Sequence, residues 1–398
     1  MRDNFPFMFW LRMGLLSFGG PMAQIAMLEE ECVRKRAWLT IEEFSRGMGL
    51  CMFLPGPEAQ QLVAWVAWRR FGKIGAILAT LLFILPGLML CGLLAWAYVI
   101  SSHIPIVNGV LAGARAAVAG VILVAGYKMF VHNCLQQEQK VATGVSFVGL
   151  FLAVPFMFLA VVGGLYAWYV RPEDEEVSSN LSETLWSALR RVGRYLLPIV
   201  GLYLLLWLIF RHEHGIVRLA ETSLFAVLAS FGGAYAALGI WQVRSEAMSW
   251  LKPGQFGDAL IVGEATPGPL LLAGSFVAFV AGYNGKIFAG NESIVWGVTG
   301  LIVAAVFTFY TSTAVILAFA PLAEDGVGDR RFYDVVGMVS AVAVGAILYL
   351  GLSLLMAVWT VPVLVAVAVG VGYLFYRNKF SVPVLIAFGA LVGLFNAR

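Results

Sequence analysis

The stretch GLLSFGGPMAQ at residues 14–24 returns in part as VLASFGGAYAA at 227–237. Each copy sets a Gly-Gly pair in the middle of apolar sequence. A glycine in a helix interior costs about 1 kcal/mol relative to alanine. A pair written twice therefore points to a backbone that the fold requires. Working outward, the two copies anchor an internal repeat, the first thing to seek in a long chain. Trp38-Leu39 matches Trp250-Leu251, and Phe44 matches Phe256. Pro55-Gly56-Pro57 matches Pro267-Gly268-Pro269, and Gly72-Lys73 matches Gly285-Lys286. The offset is 213 residues at SFGG, 212 through the middle and 213 again at the last pair. Shared order at a near-constant offset is the signature of a duplication.

The medium of the fold follows from composition. The chain has 398 residues, 61% of them hydrophobic and 12% charged. Soluble domains carry about 25% charge. This is an all-α polytopic membrane protein, and its net charge of +3 gives no support to nucleic-acid binding. A membrane-crossing helix needs about 20 apolar residues. Spans are expected at 74–100, 107–127, 195–210, 219–240, 294–320, 334–357, 358–376 and 381–396. The run 141–170 carries Pro155 and reads as one bent span or two short ones. Three apolar stretches are broken: 5–28 by Gly19-Gly20-Pro21, 47–68 by PGPE and 257–281 by EATPGP.

The longest hydrophilic run, 171–194, divides a first repeat (1–170) from a second (195–398). It is expected to be a linker or a short interfacial helix capped by Asn180. Duplicated membrane halves suggest a transporter, because two repeats can rock about a shared site. Around the first Pro-Gly-Pro the loops hold Arg34, Lys35, Arg36, Arg46, Arg69, Arg70 and Lys73; around the second they hold Arg244, Lys252 and Lys286. If each Pro-Gly-Pro segment is re-entrant, that imbalance favours inverted repeats with the first-half loops cytoplasmic.

The chemistry is expected at the breaks. Proline lacks an N–H and disfavours helix in the residue before it. Pro55 and Pro267 thus end one helix, while Pro57 and Pro269 suit the first turn of the next. A helix N-terminus at membrane depth offers free N–H groups and a positive dipole end, which suit an anion. Gly19, Gly20 and Pro21 make a similar break, with Ser17 as a hydroxyl; Ser230, Gly232 and Gly233 repeat it. Close helix packing by small residues is the competing reading of the glycines. Gln60 and Gln61 follow the first Pro-Gly-Pro, and Thr266 sits at the second. Glu58 follows its Pro-Gly-Pro whereas Glu264 precedes its own, so the two acids are not equivalent. A carboxylate inside a membrane is by default a functional hypothesis, here for protons coupled to anion movement; a helix-capping or loop acid is the plainer alternative. Arg115 lies deep in an apolar run and Arg12 beside SFGG; either could neutralise an anion in a pathway or snorkel to an interface. FTFYTSTA (307–314) reads as helix back-bonding or as a polar lining. RHEHG (211–215) sets two histidines two apart, on different helix faces, which argues against a metal. No cofactor motif is evident, and the four separated cysteines read as ordinary thiols.

The motifs SFGGPMAQIAMLEEECVRKRAWLTIEEF, FLPGPEAQQLVAW and FILPG, with SFGGAYAAL and GEATPGPL in the second half, resemble the chromate ion transporter family in its two-domain form. The resemblance covers essentially the whole chain. It implies a multi-pass protein of the bacterial or archaeal inner membrane that exports chromate, with sulfate as the analogous tetrahedral dianion, coupled to the proton gradient and built from inverted repeats. It carries over to Ser17–Pro21, Pro55–Gln61, Ser230–Gly233 and Glu264–Pro269. The second half departs from the first, with GGA for GGP and FTFYTSTA where the first has FILPG. A sulfate or other oxyanion permease is the close alternative. A membrane-embedded reductase is a more distant one, because it would need a redox centre. Lipid is the surrounding partner, and a homodimer is compatible with all of this.

Overall fold

A computed structural model describes residues 5–102, 104–152, 154–170, 178–210, 214–231, 234–252, 254–288, 292–325 and 330–396. Among these residues every regular element is a helix. The first half opens with α1 (Phe7–Leu16) and α2 (Gly20–Glu29), separated by the first Gly-Gly break. A π-helical turn, Glu30–Lys35, follows. Next come α3 (Ile41–Phe53), the Pro-Gly-Pro break and α4 (Glu58–Ser101), which kinks where Gly72 leaves helical geometry. Then come α5 (Pro105–Asn133), α6 (Gln137–Phe151) and α7 (Phe156–Val170). α8 (Ser178–Phe210) leads into the second half. There α9 (Gly215–Leu228) and α10 (Ala234–Ala247) flank the second SFGG, and α11 (Phe256–Ala265) and α12 (Leu272–Tyr283) flank the second Pro-Gly-Pro. The chain continues through α13 (Ile294–Ala305), a π turn at Val306–Tyr310, α14 (Thr311–Asp325), α15 (Arg330–Val358), α16 (Pro362–Tyr376) and α17 (Val382–Asn396).

The duplication recurs in the backbone at the offsets seen in the sequence. Ser17 Oγ donates to the Gly14 carbonyl at 2.6 Å, and Ser230 Oγ to the Val227 carbonyl at 2.7 Å. Ala37 and Ser249 are both left-handed, at φ +48° and +53°. The N–H of Thr40 is accepted by Glu43 and that of Lys252 by Gln255, each at 2.8 Å. Gly56 pairs with Gly268 and Gly72 with Gly285, all four at positive φ. The drift in offset has a local cause. Between SFGG and Trp-Leu the first half is one residue longer, and that interval holds the π turn Glu30–Lys35. A π-bulge is how a helix absorbs an inserted residue without losing its register.

The repeats interlock. α5 packs on α15, α16 and α17, while its counterpart α15 packs on α5, α6 and α7. Each long helix is thus clasped by the terminal hairpin of the other half. Two glycine pairs bring the α5 and α17 backbones together: Gly109 and Gly113 against Gly389 and Gly393, a GxxxG face on each helix. In a membrane, where apolar surface gives little net drive, such close approach is a main source of helix adhesion. A Cβ on Gly113 would overlap the Gly389 carbonyl. We expect Gly113→Val to lower the unfolding temperature of the detergent-solubilised protein by several degrees, since overpacking costs about 1–3 kcal/mol. Gly370→Val, where a Cβ would meet nothing within 4 Å, should not.

The expected breaks at 5–28, 47–68 and 257–281 all appear, and 141–170 is two short helices. Three expectations are corrected. The span 219–240 is not continuous: α9 ends at Leu228 and α10 starts at Ala234, because the second SFGG breaks the chain as the first does. The runs 358–376 and 381–396 form helices of 15 residues each, short for a full crossing of about 20. Position 180 is not a helix start, since α8 begins at Ser178 and runs unbroken through 178–194 into its apolar part. Among the described residues five helices are long and apolar enough to cross a membrane: Glu58–Ser101, Pro105–His132, Arg190–Phe210, Ile294–Pro321 and Gly337–Val358.

Candidate functional site

Three of the breaks produce a helix start that no side chain caps. α2 begins at Gly20 behind a left-handed Gly19, with Pro21 in its first turn. α4 begins at Glu58 behind an extended Pro57. α12 begins at Leu272, after a turn through Pro269–Leu271. The breaks of different halves touch. The N–H of Gly268 donates to the Ser17 carbonyl at 3.1 Å, which joins the second Pro-Gly-Pro to the first SFGG. Gln24, buried on α2, clamps the same junction. Its amide donates to Ser17 O at 2.9 Å and to Gly268 O at 2.7 Å. Both partners are carbonyls, so the amide orientation is fixed and Gln24 Oε1 is left without a partner.

The first Pro-Gly-Pro meets the polar turn of α14. A Cβ placed on Gly56 would sit 2.5 Å from both Gln61 Nε2 and Ser312 Oγ. Gln61 Nε2 donates back to Pro55 O at 2.7 Å, and Gln60 Nε2 donates to Thr313 Oγ1 at 2.9 Å. The back-bonding reading of FTFYTSTA holds. Thr311 and Thr313 bond back to Phe307 and Phe309, and Thr313 also receives Gln60. Gln60, Gln61, Thr311 and Ser312 are fully buried.

The second SFGG reaches the site through Tyr235. Gly232 and Gly233 lie outside the described residues. Tyr235, two positions on, donates to Glu264 Oε1 at 2.7 Å and lies within electrostatic range of Glu58. The two acids are not equivalent in sequence, yet one tyrosine hydroxyl bonds one of them and lies within electrostatic range of the other. Glu264 is buried beside Thr266, whose hydroxyl bonds back to Val262. Glu58 Oε2 is shielded and has no partner, as are Oε1 of Gln60 and Gln61. The site therefore holds two complementary sets of unmet groups: helix N-termini that want acceptors and side-chain oxygens that want donors.

Two further charges fall elsewhere. Arg12 lines a cavity on the outer face of α1 with Phe7, Met8, Leu16, Glu31 and Arg36. Arg115 pairs across the repeats with Asp258 on α11. His214 caps α9 and packs against Phe210 and Phe288, while His212 lies outside the described residues. The four cysteines are buried and free. Sequence reasoning missed Gln24, Tyr235 and Asp258. Gln24 lies in the quoted opening stretch. Asp258 and Tyr235 are polar residues inside apolar runs, the one signal that would have found them.

A duplicated helical bundle, with broken helices crossing between its halves and five long apolar helices, defines a multi-pass membrane protein of the transporter class. The sequence profile described as "Chromate transporter" matches residues 6–168 and 217–394, and the chain belongs to that family. A chromate transport protein of Pseudomonas aeruginosa is 30% identical over 394 residues, covering 96% of this chain and 90% of that protein. One from Cupriavidus metallidurans is 25% identical, covering 97% and 91%. An uncharacterized transporter of Bacillus subtilis is 26% identical over 42% of this chain but 96% of its own length, so a relative exists at the size of one repeat. No solved structure matches.

Proposed function

We propose that this protein is a secondary active chromate transporter of the inner membrane, exporting the dianion from a midplane site where the broken helices of the two repeats meet. The observation that carries this reading is the junction of Ser17, Gln24 and Gly268, where uncapped helix starts from both halves converge. The anion would sit against the N-termini of α2, α4 and α12, within reach of Ser17, Gly19, Gly20 and Pro21, Pro55–Gln61 and Thr266–Pro269. Ser230, Gly232 and Gly233 would complete the site from the second half. The names of the full-length relatives supply the substrate; the helix ends supply the charge preference.

The order of the long apolar helices supports inverted repeats. Each half contributes two of the long apolar helices, and Arg190–Phe210 stands alone between them. Two crossings return the chain to its starting side, and the added crossing of α8 starts the second repeat from the other. Glu58 and Glu264 would carry protons, because two ionised carboxylates beside a bound dianion repel it while neutral ones do not. Labelled chromate flux into proteoliposomes, with and without an imposed pH gradient, tests substrate and coupling together. We expect chromate flux that unlabelled sulfate inhibits and that a pH gradient accelerates. A protein that moves neither anion would overturn the reading; one that moves sulfate and not chromate would establish the permease instead.

A further inference from the structure

Outside the junction, one buried charge cluster is built to hold an oxyanion and is occupied by a carboxylate instead. Arg115, in the middle of α5, grips Asp258 on α11 with two parallel bonds, Nε to Oδ1 at 2.5 Å and Nη2 to Oδ2 at 2.7 Å. Tyr98 adds a third, its hydroxyl donating to Asp258 Oδ2 at 2.9 Å. The guanidinium fork matches a carboxylate or a tetrahedral oxyanion equally well. The two partners are not equally enclosed: the Asp258 side chain is 1% exposed and that of Arg115 is 26% exposed. The arginine keeps an open side and the acid does not.

Three further observations give the pair a place on a route. Tyr98 and Gln255 line a cavity of about 700 Å³ with Lys252, Lys286, Glu246 and Glu292. Asp258 and Glu264 lie six residues apart on α11, about 9 Å along its axis. α11 thus runs from the cavity wall to the junction of broken helices, with the Arg115 pair between. The fold itself does not call for the pair. At the equivalent crossing of α3 and α15, Arg46 is exposed and Val339 is a buried apolar residue, yet those helices also pack. A buried ion pair is often no more stabilising than apolar side chains of like volume, so packing alone is a weak account of it.

We propose that Arg115 is an oxyanion station between the Tyr98-lined cavity and the broken-helix site, and that Asp258 occupies its fork as an internal stand-in for the anion until an anion displaces it. The proposal rests on the oxyanion reading above and adds a second binding site with its own competitor. It makes the pair a lock between repeats: α5 and α11 are held together when the route is empty and released as the anion arrives.

The test measures sulfate and chromate binding by calorimetry on the full-length purified protein. Asp258→Asn removes the competitor and keeps the shape, and should bind sulfate about tenfold tighter than wild type. Arg115→Gln combined with Asp258→Asn should lose that gain. Unchanged or weaker binding by Asp258→Asn, or equal tightening in the double variant, would overturn the proposal. Should Asp258→Asn not fold, hydrogen–deuterium exchange on wild type decides. Saturating sulfate should speed exchange in residues 256–260 and 98–102. A sulfate response confined to 54–58 and 266–272 would overturn the lock and leave the central site standing. Wild type that binds neither anion would overturn the oxyanion reading itself.

Discussion

Gly56→Ala is expected to cut chromate flux in proteoliposomes by at least about tenfold, while Gly268→Ala at the equivalent position of the other repeat costs less. Both glycines sit at positive φ, +132° and +107°, where a side chain adds about 1–3 kcal/mol of backbone strain. Their surroundings differ. A Cβ on Gly268 would meet the tip of Leu272 at 3.1 Å, which needs to give only a few tenths of an ångström. One on Gly56 would stand 2.5 Å from both Gln61 Nε2 and Ser312 Oγ. Neither neighbour can move freely. Gln61 is tied to Pro55 O, and Ser312 lies fully buried on α14. The added methyl would displace Gln61 or lift the Pro-Gly-Pro turn off α14, shifting the start of α4 and Glu58 with it. Gly49→Ala is the control, since its Cβ would touch nothing within 4 Å and alanine favours the helix. Equal flux in Gly56→Ala and Gly49→Ala, at matched protein in the vesicles, would show that the turn does not position the site.

The contrast between Gly56 and Gly268 marks where sequence reading runs out. The repeat, the helical class and the three broken stretches were all legible, because proline and glycine act on the backbone locally. The positions that bend were therefore readable from PGP and GG alone. What each bend touches was not. Gln24 meets Gly268 from 244 residues away, and Gln60 meets Thr313 from 253. Such pairs depend on how the halves interlock, and neither periodicity nor spacing encodes that. The misread span at 219–240 had a different cause. Alanine-rich flanks keep its hydropathy high across Gly232-Gly233, so hydropathy and the Gly-Gly signal point opposite ways there. The short terminal hairpins failed on length: α7, α16 and α17 are apolar, but they and α6 each stop at 15 residues. Arg115 was visible as a charge in an apolar run. Its partner was not, because the acid that answers it comes from the other repeat at a position where the first repeat carries Arg46.

Glu264→Gln should fold and express like wild type but lose at least about tenfold of the gradient-driven chromate flux, with anion-for-anion exchange at equal pH affected far less. Glutamine keeps the shape of the side chain, and its carbonyl can still accept the Tyr235 hydroxyl that now bonds Glu264 Oε1 at 2.7 Å. What it cannot do is change charge. Glu264 is buried at the second break, and Glu58, with a shielded oxygen that has no partner, lies within electrostatic range of Tyr235. If both acids are ionised, a dianion arriving at the helix starts meets two like charges at short range. If they take up protons, the N-termini are left as the dominant field and the anion is held. Loading would then demand protons from one side, and release would follow their loss on the other. A permanently neutral residue leaves the loading half of that cycle intact and removes the link to the gradient. Tyr235→Phe separates charge from geometry. It keeps the carboxylate and deletes one hydrogen bond, worth about 1.5–3 kcal/mol when one partner is charged. It should lower flux while preserving its response to pH. Flux in Glu264→Gln that still rises with an imposed pH gradient as steeply as in wild type would assign the proton to Glu58 or remove it from the mechanism, and Glu58→Gln in the same vesicles would say which.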